Sequence, residues 1–150
     1  MHIARNAIFI GAGEFGFSVN YDRIILKKFN NKLSLRVGTD PFFISRGKLQ
    51  HGAEIQYLYG RTHHVGIALG FVYGSGQREP LQLSDVYKYA ALFACGKIEY
   101  RYQRARKGLF LECGGYIMSE IVKLYSYSSS RPNWYYANNF LPTINLGYSF

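Results

Sequence analysis

Phe17–Arg23, which reads FSVNYDR, is one of four similar segments along the chain; the others are Ile55–Arg61 (IQYLYGR), Ile98–Arg104 (IEYRYQR) and Ile144–Phe150 (INLGYSF). The apolar residues of each segment lie two positions apart, so they line one face of a β-strand. The penultimate residue of that face is always a tyrosine: Tyr21, Tyr59, Tyr102 and Tyr148. Tyrosines at the same end of every second strand predict strands that reach a polar boundary together, and a membrane interface is such a boundary.

The composition favours a single all-β domain, 1–150. A length of 150 residues suits one domain, and 17% aromatic residues with 16 glycines are typical of strands rather than helices. The apolar runs are far shorter than the ~20 residues that a transmembrane helix needs. Any membrane crossing must therefore be made by strands.

Four further segments can run back between the repeated strands, which brings the count to eight. They are Ala7–Gly11, Leu33–Thr39, Val65–Tyr73 and Leu109–Ile117. We therefore predict a closed antiparallel up-and-down transmembrane β-barrel of eight strands. The sequence leaves open whether Ala7–Arg23 forms one strand or two.

The predicted connections fall into two classes. At the tyrosine end they are short, roughly Ile24–Lys32, Thr62–His64 and Ala105–Gly108; at the other end they are longer, roughly Asp40–Gln50, Ser75–Lys88 and Ser119–Asn139. Short turns at one rim and long loops at the other are typical of outer-membrane barrels, in which the turns lie in the periplasm.

Side-chain volume decides which strand face points outward. The interior of an eight-stranded barrel is only just wide enough for its own side chains, so the face with the large apolar residues is expected to meet lipid. The opposite face mixes small residues with charges of both signs, which we expect to pair and plug the lumen. These charges are Asp22, Arg36, Glu54, Lys97, Glu99, Arg101 and Glu112. The alternative is a soluble lipocalin-like carrier with the apolar face inside, around an apolar ligand.

The four recurring tyrosines, Tyr21, Tyr59, Tyr102 and Tyr148, are then expected at the periplasmic membrane interface. There the ring lies in the apolar zone and the hydroxyl among the headgroups. The competing interpretation is that tyrosine is simply a good strand former.

The net charge of +9 does not by itself indicate nucleic-acid binding, because the cations are spread along the chain. Seven of the 18 lysines and arginines lie in or beside the predicted short turns: Lys27, Lys28, Lys32, Arg61, Arg104, Arg106 and Lys107. They could meet lipid phosphates or a polyanion such as peptidoglycan. The simpler interpretation, which the sequence favours, is that solvated turns tolerate cations.

Cys95 and Cys113 are predicted on opposite faces of a hairpin that turns near Ala105. Side chains on opposite faces of a sheet cannot form a disulfide.

The opening residues, Met1–Ile10, lack the long apolar core and cleavage site of a secretory signal, so we expect a mature domain whose signal has been removed.

The chain resembles the small outer-membrane β-barrel proteins of Gram-negative bacteria, especially the short barrels common in Bacteroidetes. The resemblance rests on Phe17–Arg23, Leu33–Gly38 (LSLRVG), Glu99–Gln103 (EYRYQ) with Lys107–Phe110, and Asn145–Phe150 (NLGYSF). It implies an outer-membrane location among lipid and lipopolysaccharide, and no particular activity. The ending, with Tyr148 and Phe150, also resembles the signal by which the barrel-assembly machinery recognises its substrates.

We expect no catalytic residues, no metal site and no cofactor. His63 and His64 fall in a predicted turn, where a solvated position is favoured over a metal site. The alternative is a lipid A-modifying barrel enzyme. The lipid A deacylase barrels carry His and Ser on a late strand, and the late strands here have no His. A palmitoyltransferase would need a His, Asp and Ser in the loops, for which only His51, Asp85 and Ser84 are candidates.

The last long loop carries Trp134, Tyr135 and Tyr136. These rings suit binding of a protein, a glycan or lipopolysaccharide, and they equally suit an upper aromatic girdle. The expected role is structural or interactive, through the long extracellular loops or as a subunit of a larger envelope complex with a protein partner.

Overall fold

The computed structural model describes residues 4–13, 16–39, 48–78, 87–104, 106–126 and 140–150. Eight strands account for nearly all of them: β1 (Asn6–Gly13), β2 (Gly16–Lys28), β3 (Asn31–Thr39), β4 (Lys48–Gly60), β5 (His63–Arg78), β6 (Tyr87–Gln103), β7 (Gly108–Ser126) and β8 (Phe140–Ser149). In this part of the chain no helix is long and apolar enough to cross a membrane.

Each strand pairs antiparallel with the next, and β8 returns to pair with β1, so the sheet closes. The predicted closed up-and-down barrel of eight strands is confirmed. At the closing seam the Asn6 amide donates to the Phe150 carbonyl at 3.0 Å, and the Phe150 amide donates to the Asn6 carbonyl at 2.8 Å. Phe150, predicted as part of the assembly signal, therefore lies where the barrel closes.

The strands are staggered around the barrel. Following ladder partners from Asn6 through β2 to β7 leads to Phe140 on β8, whereas Asn6 itself lies beside Phe150, ten residues further along. A stagger of this size tilts the strands by roughly 40° to the barrel axis. The tilt places residues that are distant in sequence at one level of the lumen.

The alternation of the sequence sets the two faces of the wall. In β3, Ser34 and Arg36 are buried while Leu35 and Val37 are exposed, and β8 alternates in the same way. Small and charged residues thus face the lumen and large apolar residues face outward.

The turns at the tyrosine end, which we call the turn rim, are tighter than predicted. β2 continues through Ile24–Lys28, so only Phe29 and Asn30 connect it to β3. His63 and His64, predicted in a turn, instead begin β5. Gly60 has a φ of 139°, and a Cβ there would lie 1.9 Å from the carbonyl oxygen of His63. Glycine is therefore required for so short a connection.

At the opposite end, the loop rim, the strands extend further than predicted. β4 already begins at Lys48, β5 continues to Arg78, β6 begins at Tyr87 and β7 continues to Ser126, because ladder pairing persists there. The predicted long loops are shorter by those residues. β1 and β2 meet at Gly13 and Gly16, so Ala7–Arg23 contains two strands.

The two cysteines lie on opposite faces of the wall, as their spacing predicted. Cys95 is buried, Cys113 is exposed, and both are free thiols.

Candidate functional site

The outer surface of the barrel is a continuous apolar belt. Leu69, Ile98 and Ile144 are 67%, 64% and 62% exposed, respectively. Every strand contributes at least one exposed apolar residue to the belt, such as Ile10, Val19, Leu35, Ile55, Ile67, Ile98, Leu111 and Leu146. A soluble protein rarely exposes an apolar patch of this extent. These exposures contradict the carrier alternative, which needs the apolar face inside.

The predicted tyrosines lie on the outer face towards the turn rim. Tyr21, Tyr59 and Tyr148 are exposed, and Tyr102 is half-buried. The Tyr21 hydroxyl donates to Asn6 Oδ1 at 2.8 Å.

Further aromatic residues that the sequence reasoning did not assign to the interface lie beside them. The Tyr57 hydroxyl lies 2.5 Å from Asn31 Oδ1, and the Tyr100 hydroxyl lies 2.5 Å from His63 Nδ1. The Tyr-x-Tyr pattern, which occurs at Tyr57–Tyr59 and at Tyr100–Tyr102, is the sequence signal that identifies Tyr57 and Tyr100.

All seven charged residues predicted for the interior are buried inside the barrel. They come from β2 (Asp22), β3 (Arg36), β4 (Glu54), β6 (Lys97, Glu99, Arg101) and β7 (Glu112). Closure of the barrel brings Arg36 and Glu112, which are 76 positions apart in sequence, into direct contact.

Glu112 is the centre of this interior network. Arg36 donates to both of its carboxylate oxygens, at 2.9 and 2.6 Å. Lys97 Nζ also contacts Glu112 Oε1, and Arg101 Nη2 lies 3.0 Å from Oε2. Asn145 Nδ2 donates to Oε1 at 2.7 Å. The Glu112 carboxylate therefore forms ion pairs with three cationic side chains at once.

Asp22 and Glu99 complete the pairing. Arg101 Nη2 lies 2.9 Å from Asp22 Oδ2 and 3.1 Å from Glu99 Oε1. Lys97 Nζ lies 2.6 Å from Glu99 Oε2. Each of the three cations thus contacts at least two carboxylates, which is the condition under which buried charges are tolerated.

Glu54 lies at the edge of the network. Its carboxylate accepts hydrogen bonds from the Tyr116 hydroxyl at 2.5 Å and from Gln56 Nε2 at 3.1 Å, whereas Arg36 Nη1 is 3.8 Å away. Tyr116 and Gln56 therefore provide the close contacts of this carboxylate.

Two buried phenylalanine rings continue the network across the lumen. Phe9 and Phe110 stack with centroids 4.7 Å apart and planes 16° apart. The Arg36 guanidinium lies 4.6 Å from the Phe9 centroid, and the Arg101 guanidinium lies 4.9 Å from the Phe110 centroid. Two cations thus flank a stacked aromatic pair, an arrangement that favours both the stack and the cations.

Gly147 makes this stack possible. It is the ladder partner of Phe9 on one side and of Phe110 on the other. A Cβ at Gly147 would lie 2.3 Å from the Phe9 Cβ and 2.1 Å from the Ile8 carbonyl oxygen. The two rings therefore meet over a residue without a side chain.

Gly147→Ala is expected to lower the free energy of unfolding by about 1–3 kcal/mol, because the added methyl group meets the Ile8 carbonyl oxygen and the Phe9 Cβ and forces the β1 backbone to shift together with the Phe9 ring. Equilibrium unfolding in urea with detergent micelles measures the change. Gly96→Ala is the matched control, since a Cβ there meets nothing closer than Leu69 Cδ2 at 3.9 Å. Equal effects of the two substitutions would contradict this role for Gly147.

A second buried polar pair, Lys32 and His64, lies near the turn rim, and it corrects the prediction that both residues are solvated. Lys32 was grouped with solvated turn residues, but its side chain points into the lumen, where Nζ contacts His64 Nε2 and lies 3.2 Å from the Arg61 carbonyl oxygen. Ladder pairing begins at Asn31, so Lys32 has the inward parity of Ser34 and Arg36. That parity was the signal available in the sequence.

The remaining sequence candidates do not form a site within the described residues. His51 is exposed on β4, whereas Ser84, Asp85, Trp134, Tyr135 and Tyr136 lie outside the described residues. No group of three or more His, Cys, Asp or Glu residues in the described part of the chain could hold a metal ion.

No protein-family model matches the chain, and no curated protein matches its sequence. The structure is similar to the crystal structure of the N-terminal β-barrel domain of Pseudomonas aeruginosa OprF. The TM-score is 0.60 at 10% sequence identity, over 98% of this chain and 96% of that chain. This likeness spans the whole barrel, and at this identity it concerns the fold alone.

Proposed function

We propose that the protein is an integral outer-membrane β-barrel whose lumen is plugged by its own side chains, and that it acts as a structural or interaction protein. The observation that carries the proposal is the opposite polarity of the two faces of the wall. An apolar belt surrounds the outside, and paired charges fill the inside. An outward-facing apolar belt of this kind is typical of barrels that lie in a lipid bilayer.

The lumen contacts favour a plugged barrel over an open pore. Arg36, Arg101 and Glu112 meet across the lumen, and the Phe9–Phe110 stack lies against the two guanidinium groups. Water-filled channels are associated with larger strand numbers.

The interaction role is assigned to the connections at the loop rim, which would face the cell exterior. We propose that Trp134, Tyr135 and Tyr136 bind lipopolysaccharide or an envelope protein partner, since tryptophan and tyrosine are enriched among the residues that dominate binding energy. Folding would depend on the barrel-assembly machinery, with Tyr148 and Phe150 at the closing strand.

Three measurements test this function. Cell fractionation is expected to place the protein in the outer membrane, and planar bilayers containing the purified barrel are expected to show no stable conductance. A photo-crosslinking residue at Tyr135 should yield protein or lipopolysaccharide adducts, whereas the same residue at Tyr59 should yield phospholipid adducts only. Stable channels, or identical adducts at the two positions, would contradict the proposal.

A further inference from the structure

The exposed charges at the turn rim are all positive among the described residues. The exposed cations there are Arg5, Arg23, Lys27, Lys28, Arg61, Arg104, Arg106 and Lys107. Of the nine acidic residues in the chain, Asp22, Glu54, Glu99 and Glu112 are inside the barrel, and Glu120 lies towards the loop-rim end of β7. The other four, Glu14, Asp40, Glu79 and Asp85, lie outside the described residues.

One group of rim side chains is organised on the outer face of β5 and β6, where His63 is the ladder partner of Tyr102. Arg104 Nε donates to the Tyr102 hydroxyl at 3.1 Å. The His63 ring lies 5.3 Å from the Tyr102 ring, and His63 Nδ1 lies 2.5 Å from the Tyr100 hydroxyl. The Arg104 guanidinium is thus held beside aromatic rings at the edge of the apolar belt.

We infer that the turn rim binds the anionic phosphate headgroups of the adjacent phospholipid leaflet, with His63, Tyr102 and Arg104 as one headgroup site. This inference rests on the membrane function proposed above. Interface tyrosines lie at the headgroup level, so Arg104 meets lipid phosphates at that depth. A guanidinium binds phosphate oxygens through charge-assisted hydrogen bonds.

Two observations favour lipid over a soluble polyanion. Arg23 is exposed on the outer face of β2 between Tyr21 and Ile25, within the surface that lipid covers. Arg61 Nε donates to a neutral partner, Asn30 Oδ1, at 3.1 Å, so its charge is left for an external anion. The sequence alone favoured solvated turns, because it did not show that these cations border the belt.

The test compares spin-labelled phosphatidylglycerol with spin-labelled phosphatidylcholine bound to the folded barrel in mixed vesicles. Wild type is expected to prefer phosphatidylglycerol, and Arg104→Gln is expected to lower that preference by up to about fivefold, the effect of one cation near a membrane surface. Tyr102→Phe, which keeps the ring and removes the hydroxyl that holds Arg104, should lower it in the same direction. Arg78→Gln, the same charge change at the loop-rim end of β5, is the matched control and should leave it unchanged.

The outcomes separate this inference from the proposed function. A barrel that inserts and shows heat-dependent gel mobility but has no preference for phosphatidylglycerol overturns the headgroup site and leaves the membrane function standing. Equal losses from Arg104→Gln and Arg78→Gln also overturn the site. If the barrel binds soluble polyphosphate in pure phosphatidylcholine vesicles and has no preference for phosphatidylglycerol, the turn rim binds a soluble polyanion instead of lipid, which overturns the inference. Failure to insert into any vesicle contradicts the proposed function itself.

Discussion

Glu112→Gln is expected to lower the free energy of unfolding by about 3–5 kcal/mol, because it removes the partner of buried cations. Arg36 loses the ion pair behind its bonds at 2.9 and 2.6 Å, because the amide oxygen of glutamine can accept only one of them without a charge and the amide NH2 accepts none. The carboxylates left to Arg36 are farther away, with Asp22 at 3.4 Å and Glu54 and Glu99 at 3.8 Å. Lys97 and Arg101 each lose one of their carboxylates. Equilibrium unfolding in urea, followed by circular dichroism in detergent micelles, measures the change.

Glu120→Gln is the matched control for this substitution. It makes the same chemical change on the same strand, at a half-exposed position for which no carboxylate contact to a cation is found among the described residues. Its effect is expected to stay within about 0.5 kcal/mol. A loss from Glu112→Gln as small as that would show that the interior network does not stabilise the barrel.

Leu69→Arg is expected to destabilise the barrel in lipid vesicles by about 2–4 kcal/mol, the cost of a cation on the lipid-facing side near the bilayer midplane. Leu69 is 67% exposed and lies in the middle of the belt, so no packing contact of the lumen is disturbed. In a soluble protein, a cation at so exposed a position would be harmless. Unfolding in vesicles measures the difference between variant and wild type.

Val65→Arg, on the same strand but nearer the turn rim, tests whether the cost of a cation depends on its depth in the bilayer. Val65 is 62% exposed and lies two residues from the start of β5 at the turn rim. A cation there can reach the headgroups, so the expected cost is about 0–1 kcal/mol. Equal costs at the two positions would contradict a bilayer around the belt.

Alternation predicted the two faces of the wall correctly, because a period of two leaves each strand residue only two directions. The alternation predicts Asp22, Arg36 and Glu112 on one face and Cys113 on the other; in the structure the three charged residues are buried and Cys113 is exposed. Side-chain volume then distinguished inside from outside, since the large apolar side chains of one face are too bulky to fit into so narrow a lumen.

The contacts across the lumen could not be read from the sequence, because they depend on the stagger of the closed sheet. Alternation places Arg36 and Glu112 on the same side of the wall, but only the register of all eight strands brings them to the same level. The Phe9–Phe110 stack has the same origin, since it requires β1 and β7 to lie on either side of Gly147.

The ends of the strands could not be predicted from the sequence, and Lys32 and His64 lie at such ends. Charged and polar residues near a turn resemble solvated loop residues, although ladder hydrogen bonds continue to Lys28 and Asn31 and from His63 onward. Strand pairing extends beyond the point that local composition predicts. Lys32 and His64 therefore lie in strands and face the lumen rather than lying in solvated turns.

Refolding from urea tests the central claim, an apolar belt that meets lipid around a plugged polar lumen. The protein is diluted with and without detergent micelles, and boiled and unboiled samples are compared on a denaturing gel. We expect β-type circular dichroism and a boiling-sensitive mobility shift only in the presence of micelles. A stable soluble monomer that folds in buffer alone would contradict the account.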